Sequence, residues 1–350
     1  MGAVDIDSGA IYFPRASATA AVSISPEGPD MFGQSAEALN TGFDLNYVWD
    51  YASKEEGLRN LYEKSKAGHW NAKSDPDWST HVDPEAENMP DQTIPWYGSS
   101  HWNKLSDRNI RELRHAGQAW TLSQFMHGEQ GALLVAAQLV NCVPDIDAKF
   151  YAAQQAADEA RHVEAYELYL SRKMEKEYPC NPELRKLLDQ ILTAKEWDIK
   201  YLGMQILVEG LALAAFGMQN QITREPLIKD ITSRIMGDES RHVAFGVLSL
   251  REAYKDMSDA DLKIREEFAV EACYLMRDRL LPKVLWEEQG LPVREMEELS
   301  DKSETMKTFR TMLFSKIVPN VKRLGLLNDR LRGQFGKLGI LGFEDWEASA

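Results

Sequence analysis

Apolar residues recur every three to four positions through most of the chain, and prolines, glycines and polar clusters interrupt them at wide intervals. This pattern predicts helices that span Lys54–Ala67, Ser106–Cys142, Asp147–Tyr178, Pro182–Ile222, Pro226–Lys255, Ser258–Gly290 and Glu304–Arg332. Alternating patterns typical of β-strands are scarce between them. Because long helices joined by short turns pack antiparallel, we expect an all-α helical bundle.

Two stretches do not follow the helical pattern. Residues 1–45 mix small residues with Pro14 and Pro26, and residues 69–100 contain prolines at 76, 84, 90 and 95. We therefore predict a flexible, irregular N-terminal arm over residues 1–45. Since no linker-like segment divides the remainder, residues 46–350 are predicted to form a single helical domain.

Composition and charge exclude several classes of function. The 350 residues include 40 Lys and Arg against 55 Asp and Glu, a net charge of −15 that lacks the basic surface nucleic acids require. The longest apolar stretches, Ala132–Val140 and Leu211–Phe216, are about half as long as a membrane-spanning helix, so we expect no membrane segment. Three cysteines without a Cys-x-x-Cys pair, and an N-terminal stretch unlike a secretory signal, favour the cytoplasm.

Three residues repeat at one constant offset. The strings Asp158–Val163 and Asp238–Val243 each contain a Glu-x-x-His pair, and a single glutamate precedes each pair by the same interval. The repeated positions are Glu129 and Glu209, Glu159 and Glu239, and His162 and His242, with an identical separation in sequence each time. A shared offset without insertions indicates an internal duplication of a helix pair.

This residue set predicts a metal centre. Residues i and i+3 share a helix face, so each pair can offer a carboxylate and an imidazole to one metal. Two single glutamates and two Glu-x-x-His pairs form the ligand set of a carboxylate-bridged dinuclear site. Oxygen-rich ligands favour two iron ions, with a Mn/Fe pair as the alternative. The other interpretation is that these residues face solvent or form ion pairs with Arg161 and Arg241.

The same residues resemble a known superfamily. The Asp-Glu-x-Arg-His strings are similar to those of ferritin-like diiron carboxylate proteins, most of all bacterial multicomponent monooxygenase hydroxylases. The stretch Leu58–Trp78 is similar to the opening of ribonucleotide reductase small subunits and R2-like oxidases. The likeness covers Leu58–Arg251 and implies a ferritin-like bundle with a metal-binding core at about 106–256 and extra flanking helices.

The resemblance also implies roles for particular residues. One metal would be held by Glu129, Glu159 and His162, the other by Glu209, Glu239 and His242, with Glu159 and Glu239 bridging. Each ligand histidine would donate its outer ring N–H to an aspartate of the opposite repeat. That second layer consists of Asp158 and Asp238, braced by Arg161 and Arg241. A surface salt-bridge network is the alternative for those four residues.

Three functions fit such a centre. An oxygenase would use O₂ to hydroxylate or otherwise oxidise a small apolar, aromatic or acyl-type substrate, with electrons from a ferredoxin or flavin reductase. A radical-generating or two-electron R2-like oxidase would use Tyr166, four residues after His162. A ferroxidase would oxidise iron itself. We expect the oxygenase, as a homodimer without nucleic-acid or membrane partners, with an apolar substrate pocket lined by Phe125, Ala132, Leu133, Leu213 and Phe216.

Three departures limit the resemblance. The monooxygenase hydroxylases usually have a threonine where this chain has Leu213, and the spacing of their second repeat is longer by an inserted turn. Aryl-amine N-oxygenases of the superfamily have an extra histidine ligand four residues before the second Glu-x-x-His pair. That position is Ile235 here, which counts against an N-oxygenase.

Overall fold

Residues 38–346 are described in a computed structural model, and they form helices and irregular segments without any β-strand. The helices are α1 (Glu56–Ala67), α2 (Asp107–Cys142), α3 (Ile146–Tyr169), α4 (Pro182–Thr193), α5 (Trp197–Tyr201), α6 (Glu209–Ile222), α7 (Pro226–Lys255), α8 (Asp259–Asp278), α9 (Lys283–Glu288), α10 (Val293–Lys302), α11 (Glu304–Leu313), α12 (Ile317–Arg323) and α13 (Asp329–Leu338). The predicted all-α class is confirmed. Most of the predicted arm, residues 1–37, lies outside the described residues, and residues 38–45 contain no helix.

Several helices begin at the predicted polar residues. Ser106 and Asn109 form a capping box at the start of α2. Asn181 accepts hydrogen bonds from the backbone N–H groups of Glu183 and Leu184, and Pro182 occupies the first helical position of α4. These caps satisfy backbone donors that a helix start leaves unpaired, which explains why the sequence predicts them well.

The helix pair α2 and α3 repeats as α6 and α7. The first helices of the two pairs end at Cys142 and Ile222, and the second helices are capped by Asp145 and Glu225. Both of these correspondences have the same constant offset as the motifs. Three-residue connections make each pair antiparallel, and α3 also packs against α7. The duplication therefore includes helix boundaries as well as ligands.

Three predicted helices are interrupted in the structure. The segment predicted over 182–222 breaks at residues 194–196, where the buried Lys200 ammonium donates to the carbonyls of Ile191 and Leu192 at 3.3 and 2.9 Å. The segments predicted over 258–290 and 304–332 also divide into shorter helices. No proline or glycine stands at this break, and the Lys200 hydrogen bonds satisfy carbonyls at the end of α4.

One apolar helical run was not predicted as such. Residues Trp197–Ile222 form α5, a π-helical segment (Leu202–Val208) and α6 without interruption. The run is long and apolar enough to cross a membrane by length and composition, but 78% of its most apolar window is buried inside the structure. Most of this run therefore lies inside the helical core, and the expectation that no apolar stretch reaches this length was wrong.

The π-helical segment comes close to α7 at a glycine. A Cβ at Gly246 would lie 2.6 Å from Cβ of Gln205 and 3.1 Å from Cδ1 of Ile206. The segment leads directly into Glu209, the first residue of α6. Gly246 therefore permits the close approach that places this ligand candidate in the core.

We predict that Gly246→Ala destabilises the fold by about 1–3 kcal/mol, because an added methyl group overpacks this contact. Gly237→Ala is the matched control on the same helix: its Cβ would have no atom within 4 Å, and alanine favours a helix by about 1 kcal/mol. Urea unfolding measures both. Equal stability of the Gly246→Ala variant and the parent would contradict the packing described.

Candidate metal centre

All six repeated residues meet at the centre of the bundle. Two overlapping groups have their ligand atoms within 4.8 Å of one another, and every member is buried. One group contains Glu129 of α2, Glu159 and His162 of α3, and Glu239 of α7; the other contains Glu159, Glu209 of α6 and His242 of α7. The structure thus brings together all the residues predicted as ligands, from four helices.

Each imidazole contacts an aspartate of the other repeat through Nε2, the ring nitrogen that faces away from the glutamates. Nε2 of His162 lies 3.0 Å from Oδ2 of Asp238, and Nε2 of His242 lies 3.4 Å from Oδ2 of Asp158. An Nε2–H donated to a carboxylate leaves the lone pair on Nδ1. The lone pairs of both rings therefore point into the cluster of glutamates.

Two of the glutamates lie between the imidazoles. The oxygens of Glu159 are 3.3 Å from Nδ1 of His162 and 3.1 Å from Nδ1 of His242. Those of Glu239 are 3.2 and 3.6 Å from the same two nitrogens. The other two glutamates each approach one ring: Glu129 lies 3.2 Å from His162, and Glu209 lies 4.0 Å from His242.

Unpartnered polar atoms show that this donor set fits metal ions. Among the described residues, Oε2 of Glu159, Oε2 of Glu209, both carboxylate oxygens of Glu239 and Nδ1 of His242 are buried without a hydrogen-bond partner. Buried carboxylate oxygens are rarely left without compensation, since the desolvation penalty is several kcal/mol per ion. Two divalent cations would satisfy these atoms and balance the four carboxylate charges.

Without metals the cluster favours protonated groups. Burial, with the charge of Glu239, raises the pKa of Glu129 well above its ordinary value. Burial likewise raises the pKa of Glu209, and His242 opposes the shift. For His162, burial lowers the pKa, but hydrogen bonds to Asp238 and the glutamates outweigh it and raise the pKa. For Glu159, burial raises the pKa, but the two histidines outweigh it and lower the pKa. Protons on the other groups therefore offset part of the charge that cations would balance.

The second layer is a buried network. Arg161 donates to Asp158 at 2.6 Å and to Asp238 at 3.1 Å, and Arg241 also donates to Asp238. The side chains of both aspartates are at most 2% exposed, so this network does not belong to the surface. Each arginine lies three residues after an aspartate of its own helix, the spacing that places both on one face.

Residues outside the repeats complete this layer. Ser65 donates to Asp158 at 2.7 Å, and the indole of Trp70 donates to Asp238 at 2.8 Å. Ser65 belongs to α1, and Trp70 belongs to the irregular segment after it. Neither segment was expected to contribute to the second layer. The one signal was the likeness of Leu58–Trp78 to other diiron proteins, which includes Trp70.

A glutamine next to the ligands was also missed. Gln155 donates to Glu159 at 3.0 Å and to Glu209 at 2.7 Å, so one amide connects the two repeats. It lies four residues before Glu159, on the same helix face. The equivalent position of the second repeat is Ile235, which is fully buried among apolar side chains.

Aromatic residues stand on one side of the centre. The Tyr166 hydroxyl is buried without a hydrogen-bond partner among the described residues. Burial and the charges of Glu129 and Glu239 raise the pKa of Tyr166 well above its usual range. The rings of Phe125 and Phe216 lie 6.0 and 6.3 Å from the tyrosine ring, and 4.8 Å from each other. Tyr166 is thus a neutral phenol in an apolar environment.

A cavity of about 780 Å³ lies beside this aromatic group. Of the five residues predicted to line a substrate pocket, Phe125 lines this cavity and the other four do not. Phe216 packs against the ring of Phe125. Ala132 and Leu213 are buried in helix contacts, and Leu133 is partly exposed. Most of the lining was missed because it comes from 86–96 and from the helices after α7, where the sequence has no motif.

Four helices around four buried glutamates and two histidines define the class of ferritin-like, dinuclear O₂-activating oxidoreductases. A family model described as p-aminobenzoate N-oxygenase AurF matches residues 52–325. The chain belongs to this family. The expected diiron superfamily, the use of O₂ by an oxidoreductase and the two-metal cofactor are thereby confirmed.

The comparison with solved structures gives a weaker likeness. An R2-like ligand-binding oxidase with an aerobically reconstituted Mn/Fe cofactor has 14% identity and a TM-score of 0.46, with 77% of this chain and 92% of that chain covered. The same oxidase after photoconversion has 14% identity and a TM-score of 0.48, with 76% and 92% covered. A comparison with curated protein sequences finds no match.

The family match stands beside one departure that the sequence had already shown. The absence of a histidine at Ile235 was taken as evidence against an N-oxygenase, yet the matched region includes this position. With isoleucine at this position the chain lacks that nitrogen ligand, and the side chain packs among apolar residues. The extra histidine is therefore not required for membership of the family.

We predict that Asp238→Ala weakens metal binding by about 10–100-fold, since His162 loses the acceptor that orients its ring. Asp230→Ala is the matched control, because Asp230 lies on the same helix and, within residues 38–346, pairs with Arg234 at the helix surface. Competition with a fluorescent chelator measures both affinities. An affinity in Asp238→Ala equal to that of the control would contradict the orienting contact.

Proposed function

We propose that this protein uses two iron ions and O₂ to oxidise the nitrogen of an aromatic amine. The main support for this proposal is membership of the p-aminobenzoate N-oxygenase family over residues 52–325. The aromatic group formed by Phe125, Tyr166 and Phe216 supports the substrate class, because planar rings pack well against aromatic walls. The neighbouring cavity has room for a substrate of that kind.

The proposed ligands are the six repeated residues. Glu129 and His162 belong to one metal, Glu209 and His242 to the other, and Glu159 and Glu239 bridge the two. The bridging role is supported by the contacts of each of these carboxylates with both imidazoles, at 3.1–3.6 Å. Mn/Fe remains the alternative metal pair. Asp158, Asp238, Arg161 and Arg241 orient the histidines without touching the metals.

The metal pair, when bound, supplies the electrons that activate O₂. The protein's own residues hold the carboxylates in place, fix both imidazole rings and keep water out. The contacting rings of Phe125 and Phe216 add an apolar surface next to the cavity, which Phe125 lines. Because repeated turnover consumes electrons, we propose an external donor such as a ferredoxin or flavin reductase. A cytoplasmic location and a homodimer stay predictions from the sequence.

Radical generation at Tyr166 is the second candidate. It is favoured by one observation: the phenol is fully buried next to Glu129 and Glu239, with the Thr232 side chain beside its hydroxyl. A phenol so shielded from solvent could hold an unpaired electron. The equivalent residue of the second repeat is Gly246, so only one side of the centre offers this group.

We predict that Glu159→Ala and Glu239→Ala each reduce the bound iron from about two ions per chain to fewer than one, because each removes a shared ligand. Glu164→Ala is the control, since Glu164 lies on α3 with its side chain 40% exposed and Lys73 at 3.4 Å. Elemental analysis after anaerobic loading gives the metal content. Two ions per chain in either ligand variant would overturn the assignment.

The function itself is tested with ¹⁸O₂, chemical reductant and a panel of aromatic amines. We predict ¹⁸O in the nitrogen-oxidised product, detected by mass spectrometry, and comparable yields from Tyr166→Phe. O₂ consumption without oxygen transfer to any amine would contradict the proposal. A tyrosyl radical signal by electron paramagnetic resonance, lost together with activity in Tyr166→Phe, would favour the second candidate.

A further inference from the structure

One face of α2 is exposed to solvent and carries no charge. Between Ala116 and Cys142, the one Asp, Glu, Lys or Arg is the buried ligand candidate Glu129. The exposed positions of this stretch form a single stripe, which we call the outer face of α2: Gln130, Leu134, Ala137 and Asn141. The solvent side of a helix is usually rich in charge, whereas the core of a protein–protein interface is depleted of it. The outer face of α2 therefore has the composition of a contact surface.

The equivalent face of the second repeat is covered within the chain. At the constant offset of the duplication, Gln130 corresponds to Gly210 of α6, and Leu134 corresponds to Ala214. Gly210 is buried, and a Cβ there would lie 3.4 Å from Cγ1 of Ile317 in α12. Helix α11 also packs against α6. Within residues 38–346 the outer face of α2 stays exposed, so one half of the duplicated bundle lacks the cover that the other half has.

An aromatic strip lies beside the end of this face. It consists of four large apolar side chains that alternate along the segment before α1 and are 56–75% exposed: Leu45, Tyr47, Trp49 and Tyr51. The rings of Tyr47 and Trp49 stack at 5.2 Å and 7°, so alternate residues share one side of the segment. The backbone N–H of Asn46 donates to the carbonyl of Asn141 at 2.9 Å. The aromatic strip therefore continues the outer face of α2.

We propose that the outer face of α2 and the aromatic strip bind a second copy of this chain, related to the first by a two-fold axis. Such an interface brings the same surface of both copies together, so that surface must complement itself. The order Tyr47, Trp49, Tyr51 reads the same in both directions. Two antiparallel strips would therefore place tyrosine beside tyrosine and tryptophan beside tryptophan, pairs that aromatic rings favour.

Charge also favours a second copy as the occupant. The chain carries a net charge of −15, so two copies repel each other wherever their acidic surfaces meet. That repulsion is smallest at a surface without charge, which also offers nothing to attract a strongly charged partner of another kind. The exposed positions of α7, by contrast, include Lys229, Arg251 and Glu252. The outer face of α2 is thus the better place for two acidic chains to meet.

The exposed apolar area suits a stable dimer. Aromatic side chains bury about 150–250 Å² each, so three rings that are 66–75% exposed offer roughly 300–550 Å² per chain. A standard interface buries about 800 Å² per partner, and the aromatic strip alone supplies a large part of that. Leu134, which is 48% exposed, adds to the area from the outer face of α2.

Sedimentation velocity on the purified full-length chain tests the proposal directly. Measurements at about 0.5–50 µM include the micromolar end of the affinities found for interfaces of this size. We expect twice the mass of one chain at the upper end of this range. A chain that is monomeric throughout would overturn the proposal, and would assign the surface to residues 1–37 of the same chain or to an unlike protein.

Leu134→Glu tests the outer face of α2. It should raise the dissociation constant of the dimer at least about tenfold, because a charge is then buried in the interface of each copy. Ile264→Glu is the matched control: Ile264 lies on α8 and is 50% exposed, and its replacement should leave the dissociation constant unchanged. Equal dissociation constants for these two variants would refute the assignment of α2.

Trp49→Ser tests the aromatic strip. We expect the dissociation constant to rise at least about tenfold, because tryptophan is among the residues that contribute most to interfaces. Trp346→Ser is the matched control, since Trp346 is also exposed, at 53%, and packs against Phe343 near the other end of the chain. A dimer that Trp49→Ser leaves as tight as the parent would place the strip outside the interface and refute its role.

Folding is checked separately from association. Leu134 and Trp49 are exposed in the single chain, so circular dichroism should show the same helical content for both variants and the parent. A loss of helix in either variant would reveal a structural role and contradict its assignment to the interface. The proposal is independent of the N-oxygenase function: a dimer that transfers no oxygen to amines contradicts only that function, and an active monomer contradicts only the interface.

Discussion

Four carboxylates buried together are the constraint on which the rest of this structure depends. Glu129, Glu159, Glu209 and Glu239 are each at most 5% exposed, at the meeting point of four helices. Their repulsion and desolvation oppose folding of the bundle, and the two imidazoles offset only part of it. Bound cations would offset this cost, because several oxygens of these glutamates have no hydrogen-bond partner among the described residues. The bundle is thus a scaffold whose core is completed by the metals it holds.

The second layer explains how one centre holds the two halves of the duplication together. Asp158 belongs to the first repeat and contacts the histidine of the second, while Asp238 does the reverse. Each ligand histidine therefore contacts an aspartate of the opposite half. Helix α1 and the irregular segment after it join the same network through Ser65 and Trp70. Segments far apart in sequence are consequently ordered by groups one contact away from the metals.

Sequence predicted the parts of this protein that depend on local or repeated signals. The six ligand candidates recur at one constant offset, and caps such as Ser106 and Asn181 mark helix starts, so both could be found without a structure. The break after α4 depends on Lys200, which bonds backward to the end of that helix, and the cavity depends on residues after α7. Such features arise from tertiary packing and have no local pattern to reveal them.

The duplication also shows why the two sides of the centre are not equivalent. At the positions where the first repeat has Phe125 and Tyr166, the second has Gln205 and Gly246, at the same offset as the ligands. The rings of Phe125 and Tyr166 stand 6.0 Å apart and Phe125 lines the cavity, whereas the glycine allows Gln205 to pack directly against α7. The two repeats therefore differ at these positions. In the second repeat the helices pack closely at Gly246, whereas in the first repeat aromatic rings occupy the equivalent positions. Among the described residues, the cavity is accordingly lined by Phe125 of the first repeat and not by its equivalent, Gln205.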